Sequence, residues 1–125
     1  MERLFYLIIF CSFYGLSQES VTAELKETSN IKVEQIFGVD TFGTLYYSDQ
    51  SASFYKKTAD TIISYANFQL GKITSANTFN PLKINLFYQD FNTVIILDNR
   101  LAEITKIHFN TITDYKNVSL VSTGY

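Results

Sequence analysis

The stretch NLFYQDFNTVIILDN, residues 85–99, decides the fold of this chain. β-Branched and aromatic residues fill both of its halves, and the polar QDFN between them is typical of a turn that joins two strands. Similar runs recur along the chain, separated by Asn, Asp, Ser and Gly clusters. No window keeps the i, i+3, i+4, i+7 spacing of an amphipathic helix. We therefore predict an all-β fold with strands near residues 31–38, 43–48, 52–57, 61–67, 71–77, 82–89, 93–98, 102–109, 112–116 and 118–123.

The same stretch belongs to a repeat. An overlay that starts Leu45 on Leu86 lays LYYSDQSASFYKKTADTIISYANF, residues 45–68, on LFYQDFNTVIILDNRLAEITKIHF, residues 86–109. Its period of about 41 residues is the size of a propeller blade, since four short antiparallel strands and their turns fill about 40 to 45 residues. We therefore predict antiparallel four-stranded blades of an incomplete β-propeller, with a small β-barrel or sandwich as the alternative. Five pairs are identical in this overlay: Leu45 and Leu86, Tyr47 and Tyr88, Asp49 and Asp90, Ile63 and Ile104, Phe68 and Phe109.

Residues 1–17 have the layout of a secretory signal peptide. Arg3 precedes the thirteen-residue apolar run LFYLIIFCSFYGL, and Gly15 and Ser17 place small residues at the −3 and −1 positions of a cut before Gln18. The run is shorter than the ~20 apolar residues that span a bilayer core. We predict a cleaved leader, no transmembrane span after its removal, and a location in the periplasm, at the outer membrane or outside the cell.

Composition excludes several classes of site. Cys11, the only cysteine in the sequence, lies in the predicted leader, so the exported chain has no thiol for a disulfide, a catalytic cysteine or a metal site. The formal net charge of −2 gives no basic field for nucleic acid. No GxSxG elbow and no Gly-rich phosphate loop is present. We expect a noncatalytic protein without cofactor or metal.

Two segments follow the predicted leader. Residues 18–30 are polar and acidic and are predicted to be a flexible lead-in, whereas residues 31–125 form the predicted β-repeat domain. Four blades of this repeat need about 164 residues, and the chain has 108 after the leader. The repeat domain is therefore expected to be truncated at its C-terminus.

The segments FGTLYYSDQSASFYKK and NPLKINLFYQDFNTVIILDN resemble secreted β-propeller-like proteins of flavobacteria and other Bacteroidetes. This resemblance covers about residues 31–125. It implies a structural or binding module near the outer membrane, with an unidentified protein partner or ligand and without defined catalytic residues. The alternative is a small secreted β-barrel that binds an apolar ligand or a sugar.

Several residues are candidates for specific roles. Asp49 and Asp90 stand at equivalent strand ends, where a carboxylate accepts hydrogen bonds from turn N–H groups. Thr61, in Asp60-Thr61-Ile62, matches a Bacteroidetes O-glycosylation motif, and Asn117 begins an N-glycosylation pattern. His108 lacks a second histidine for a metal site and is predicted to be a strand residue. An aromatic run of Tyr46, Tyr47, Phe54 and Tyr55 has alternate members facing opposite sides of a sheet, so half of it is expected in the core.

Overall fold

The computed structural model describes residues 21–25, 28, 30–113 and 116–122. Eight strands in this part of the chain form two antiparallel sheets of four, and in each sheet the strands are neighbours in chain order. The predicted all-β fold with antiparallel four-stranded sheets is thereby confirmed. The first sheet has β1 (Gln35–Val39), β2 (Leu45–Ser48), β3 (Phe54–Lys57) and β4 (Ile62–Tyr65), and the second has β5 (Ser75–Asn77), β6 (Ile84–Tyr88), β7 (Thr93–Leu97) and β8 (Glu103–His108).

All eight strands lie where the sequence predicts them, but the predicted strands at 112–116 and 118–123 are absent from the described residues of those ranges. At residues 116 and 118 the backbone bonds to a side chain instead of to a strand. Asn92 donates from Nδ2 to the carbonyl oxygen of Lys116 at 2.6 Å and accepts from the Val118 N–H at 3.0 Å through Oδ1.

The N-terminal predictions meet the structure only in part. The predicted leader, residues 1–17, lies outside the described residues. The described residues of the lead-in, 21–25, 28 and 30, belong to neither helix nor strand. Ile31–Tyr125 forms one compact unit that contains both sheets. Within the described ranges, no helix has the length and apolar content needed to cross a membrane.

The two sheets differ in the length of their central hairpins. Tyr47 is paired with Tyr55 in the first sheet, whereas its counterpart Tyr88 is paired with Thr93 in the second. The overlay of the two sequence segments therefore holds for β2 on β6 but not for β3 on β7. It matches Tyr55 with Ile96, whereas the strand pairing gives Tyr55 the place of Thr93. The repeat is consequently a repeat of sheets and not of every residue in them.

One hydrophobic core lies between the sheets. It contains buried residues of both sheets and of the connection from β4 to β5, where Leu70 and Ile73 are buried. Strand β1 lies close to the end of β5, since a Cβ added to Gly38 in β1 would lie 3.2 Å from Oγ1 of Thr78, just after β5. The remaining buried members of this core cluster are Tyr46, Phe54, Ile84, Leu86, Tyr88, Ile95, Leu97 and Leu101.

Candidate binding surface

The two faces of each sheet can be told apart by backbone hydrogen bonds. In β2 the carbonyl oxygen of Ser48 accepts from Glu34, just before β1, and in β6 the carbonyl oxygen of Phe87 accepts from Thr74, just before β5. In a strand of L-residues, the side to which a residue's backbone bonds fixes the face to which its side chain points. We call the face that carries Ser48 in the first sheet, and Phe87 in the second, the front, and the opposite face the back.

With this definition, positions of β2 and β6 that the sequence overlay matches lie on the same face of their sheets. The front of the first sheet carries Tyr46 on β2, and the front of the second carries Phe87 on β6, two positions that the sequence overlay matches. The back faces carry the other matched pairs of β2 and β6, Leu45 and Leu86, Tyr47 and Tyr88.

The sheets pack through unlike faces. The core cluster combines Tyr46 and Phe54 from the front of the first sheet with Leu86 and Ile95 from the back of the second. Phe87 is buried but lies on the front of the second sheet, and it is not a member of that cluster. The contact is therefore head to tail, with the front of one sheet against the back of the next.

Polar contacts also join the front of the first sheet to the second sheet. Lys56 Nζ donates to the carbonyl oxygen of Asn99 at 2.9 Å, which ties the front of the first sheet to the β7–β8 turn. The Tyr65 hydroxyl donates to Glu103. Burial, followed by this hydrogen bond to Glu103, raises the pKa of Tyr65 to about 12. Tyr65 is therefore a protonated donor at neutral pH.

The back of the first sheet has exposed apolar side chains on its outer strands β1 and β4. Ile36 is paired with Tyr47 and Val39 with Leu45, and these pairings place both on the back face. Ile36 is 61% exposed, Val39 64% and Ile62 53%. Beside them, the rings of Tyr47 and Tyr55 stack at 5.0 Å. We call this surface, Ile36, Val39, Leu45, Tyr47, Tyr55 and Ile62, the open back face.

The aromatic run of the sequence is divided between the two faces, as alternation along a strand requires. Tyr46 and Phe54 are completely buried in the core, with ring centroids 6.2 Å apart. Tyr47 and Tyr55 lie on the open back face. Tyr47 is nevertheless 5% exposed and Tyr55 is half-buried, so only Tyr55 of this run is partly accessible on the outside of the sheet.

Three hairpin turns have the same construction around an aspartate. The first residue is Asp40, Asp49 or Asp98, and its Oδ1 accepts from the N–H groups of the third and fifth residues at 2.8–3.1 Å. A main-chain bond closes each turn from the fourth N–H to the aspartate carbonyl oxygen. The fourth residue has positive φ in every case, as in three-residue hairpin loops. These fourth residues are Gly43, Ala52 and Leu101.

Asp49 holds its turn with additional contacts. The Ser51 hydroxyl donates to Oδ1 at 2.7 Å, and the Tyr55 hydroxyl donates to Oδ2 at 3.0 Å. The hydrogen bond from the Ser51 hydroxyl, with the N–H groups of Ser53 and Ser51 and the Tyr55 hydroxyl, holds the pKa of Asp49 below its usual value against the opposing effect of burial. The hydrogen bond that the Tyr55 hydroxyl donates to Asp49 raises the pKa of Tyr55.

Asp90 lies in a different setting from Asp49, although the sequence repeat pairs them. It occupies a short 3-10 helix, Gln89–Phe91, between β6 and β7, and its side chain is exposed. Its carboxylate makes no hydrogen bond to another described residue, and the chain reverses instead at Asn92, whose φ is 47°. The shorter hairpin of the second sheet leaves no five-residue loop for Asp90 to hold.

Asp40 and Asp98 were not singled out by the sequence, although they hold the same kind of turn as Asp49. Burial acts to raise the pKa of Asp40, but the hydrogen bonds from Thr44 and Phe42 bring it below its usual value. Burial and the charge of Asp40 raise the pKa of Tyr46, which donates to Oδ2, to about 12. In the β1–β2 turn the sequence signal was an aspartate three residues before a glycine, Gly43. In the other two turns Ala52 and Leu101 stand where this pattern has glycine, so the sequence does not show it.

The remaining candidates lie apart from one another. Thr61 is exposed in the β3–β4 turn, where its side-chain oxygen lies 2.9 Å from that of Thr58. Asn117 is exposed in the C-terminal segment. His108 ends β8 with Nδ1 2.9 Å from Thr93 Oγ1. Among the described residues, no three His, Cys, Asp or Glu side chains gather into a metal-binding group.

A cleft of about 400 Å³ lies between the β1–β2 turn and the β5–β6 turn. Phe37 and Asp40 line one side, and Asn77, Phe79 and Pro81 line the other. The carboxylate of Asp40 is engaged by its own turn, and three phenylalanines, Phe37, Phe42 and Phe79, are among the lining residues.

Comparison of the chain with family models, with curated proteins and with solved structures gives no match.

Proposed function

We propose that this chain is an exported, noncatalytic β-propeller-like module that acts as a binding or structural protein in the cell envelope. The observation that carries the proposal is the head-to-tail packing of two sheets of the same topology. Blades of a propeller are four-stranded antiparallel sheets that pack in succession around an axis. Succession around an axis requires each sheet to present its front to the back of its neighbour.

The apolar content of the open back face supports a role in binding. A propeller-like module has sheet faces that need a neighbour, and exposed apolar surface of this kind marks interaction sites in soluble proteins. Ile36 and Val39 lie on the edge strand β1 and Ile62 lies on the opposite edge strand β4, and all three are more than half exposed. The binding surface proposed is therefore a flat sheet face and not an enclosed pocket.

The proposed location rests on residues 1–17, whose sequence is that of an export signal. The test is to express the chain with a C-terminal epitope tag in a flavobacterial host and to separate cytosol, periplasm, membranes and medium. We expect the tagged protein outside the cytosol, with a mass that begins at Gln18. Tagged protein found in the cytosol with residues 1–17 still attached would refute the proposed function.

A matched control is needed, because overproduced proteins can leak from cells. The variant Ile8→Arg/Ile9→Arg interrupts the apolar run of the leader and leaves residues 18–125 unchanged. This variant should stay in the cytosol at its full mass. Equal distribution of the variant and the original chain would show that the leader does not direct export.

A further inference from the structure

We propose that the cleft between the β1–β2 and β5–β6 turns binds a quaternary ammonium group, such as that of choline. This site goes beyond the proposed function, since it needs neither export nor propeller-like stacking. Its basis is that three phenylalanines and one carboxylate line the cleft together, and that none of the described residues lining it is Lys, Arg or His.

The phenylalanines come from both sides of the cleft. Phe42 belongs to the β1–β2 turn and is 84% exposed, whereas Phe79 follows β5 and is 74% exposed. Phe37, in β1, is half-buried, and its ring packs against that of Phe54 with centroids 5.6 Å apart. The cleft therefore combines one ring held by the core with two rings that a ligand can reach from solvent.

Asp40 supplies the charge of the cleft. Its Oδ1 accepts from the Phe42 and Thr44 N–H groups at 2.9 Å, and its Oδ2 accepts from the Tyr46 hydroxyl at 3.1 Å. These donors are uncharged, and no other described residue forms a salt bridge with Asp40. Burial acts to raise the pKa of Asp40, but the hydrogen bonds hold it below its usual value. A negative charge without a cationic partner therefore stands beside the rings at neutral pH.

This combination suits an organic cation. The faces of aromatic rings attract cations, and methylated ammonium groups are recognised by several rings at once. The methyl groups of such a cation contact the rings, while its charge is balanced by the ring faces and by the carboxylate of Asp40. The volume of about 400 Å³ lies in the range of small-molecule sites.

Other classes of ligand fit the cleft less well. An anion would find no basic side chain among the described lining residues. A metal ion needs several oxygen ligands, and no three His, Cys, Asp or Glu side chains gather among the described residues. A wholly apolar ligand would remove water from the Asp40 carboxylate without replacing its interactions, which is costly.

The experiment compares choline with its neutral isostere dimethylbutanol, in which a carbon atom replaces the charged nitrogen. The chain purified from the expressing host is titrated with each compound, and with methyl glucoside as a neutral sugar, while its amide NMR spectrum is recorded. Vesicles of phosphatidylcholine are added in a separate arm. Binding of choline alone would identify a free solute as the ligand, and binding of the vesicles as well would identify a lipid headgroup.

Two matched pairs of variants test the residues. Phe42→Ala and Phe79→Ala each remove an exposed ring of the cleft, and Phe68→Ala is the control because Phe68 is 80% exposed and lies outside it. Asp40→Asn removes the charge and keeps a side-chain oxygen for the turn, and Asp98→Asn makes the same change in a turn outside the cleft. The amide spectra verify folding, and a titration of the original chain at about 20 and 500 mM salt replaces Asp40→Asn if that variant unfolds.

We expect choline to bind with a Kd of about 1 mM or tighter, to shift the amides of Phe42 and Phe79, and to bind at least about tenfold more tightly than dimethylbutanol. Each cleft phenylalanine variant should weaken choline binding about fivefold, and Asp40→Asn or high salt should weaken it at least about threefold. Phe68→Ala and Asp98→Asn should bind choline as the original chain does.

Equal binding of dimethylbutanol, preference for methyl glucoside, no binding of choline up to about 20 mM, or equal losses in the controls would overturn the inference. These outcomes are separate from those of the export experiment. An exported chain without affinity for choline would leave the proposed function intact, whereas a cytosolic chain that binds choline would refute only the proposed function.

Discussion

The backs of the two sheets contain identical residues at related positions and have different surroundings. Leu86 and Tyr88 on β6 lie against the first sheet and are completely buried, whereas on β2 Leu45 is only partly buried and Tyr47 is 5% exposed. The neighbouring sheet therefore makes a difference at the leucine position, while the tyrosine is buried in both sheets. Three pairs of identical residues allow this comparison to be tested within one molecule.

The largest effect is expected for the leucine pair. Leu86→Ala removes a completely buried side chain from the core, and such truncations cost about 3 kcal/mol. Leu45→Ala removes a partly buried side chain, which should cost about 1 kcal/mol. Urea denaturation gives both free energies of unfolding. Equal costs would show that the sheets do not pack through unlike faces.

The aspartate pair should give an intermediate effect that depends on pH. Asp49→Asn should lower stability by about 1 kcal/mol at neutral pH, comparable to the loss of a helix cap, whereas Asp90→Asn should change it little because Asp90 is exposed and makes no hydrogen bond to a described residue. Since the folded pKa of Asp49 is lowered, its stabilisation is complete above the unfolded pKa of about 3.9 and is lost as pH falls through the folded value.

The pH series is the measurement for the aspartate pair. The difference in melting temperature between the original chain and Asp49→Asn should be constant from pH 7 to about 5 and then decrease as the carboxylate is protonated. A difference that grows on acidification would contradict the hydrogen-bonding role of Asp49. A similar pH-dependent loss for Asp90→Asn would show that Asp90 holds a turn as Asp49 does.

The smallest effect is expected for the tyrosine pair, where truncation of the buried member should raise the free energy of unfolding instead of lowering it. The hydroxyl of Tyr88 is buried without a hydrogen-bond partner in the described part of the chain. Burial, with the charge of neighbouring groups, raises its pKa, so it is protonated and uncharged. Tyr88→Phe should therefore raise stability by up to about 1 kcal/mol. Tyr47→Phe should leave it unchanged, and calorimetric melting that shows Tyr88→Phe to be destabilising would indicate a partner for this hydroxyl.

Strand positions were predictable from the sequence because β-branched and aromatic runs between turn residues are local features. The repeat was recognisable for the same reason, since Leu45 and Tyr47 recur as Leu86 and Tyr88 in equivalent strands. The separate role of Asp90 was not predictable. It depends on the hairpin between Tyr88 and Thr93, which is shorter than that between Tyr47 and Tyr55.

The choice of faces also required the structure. Alternation along β2 separates Tyr46 from Tyr47 but does not show which of the two meets the second sheet. That depends on the direction in which the chain leaves β4 and returns as β5, which no local pattern encodes. The predicted strand at 118–123 failed similarly, since Asn92, which bonds to this backbone, is distant from it in sequence.

Leu101 gives the β7–β8 turn a different dynamic behaviour from the other two aspartate turns. It has a φ of 63° and is nearly completely buried in the core between the sheets, whereas Gly43 and Ala52 occupy the same turn position without joining that core. The β7–β8 turn cannot open without withdrawing an apolar side chain from between the sheets. Its amide groups should therefore exchange with solvent at the rate set by separation of the sheets, while the other two turns open by local fraying.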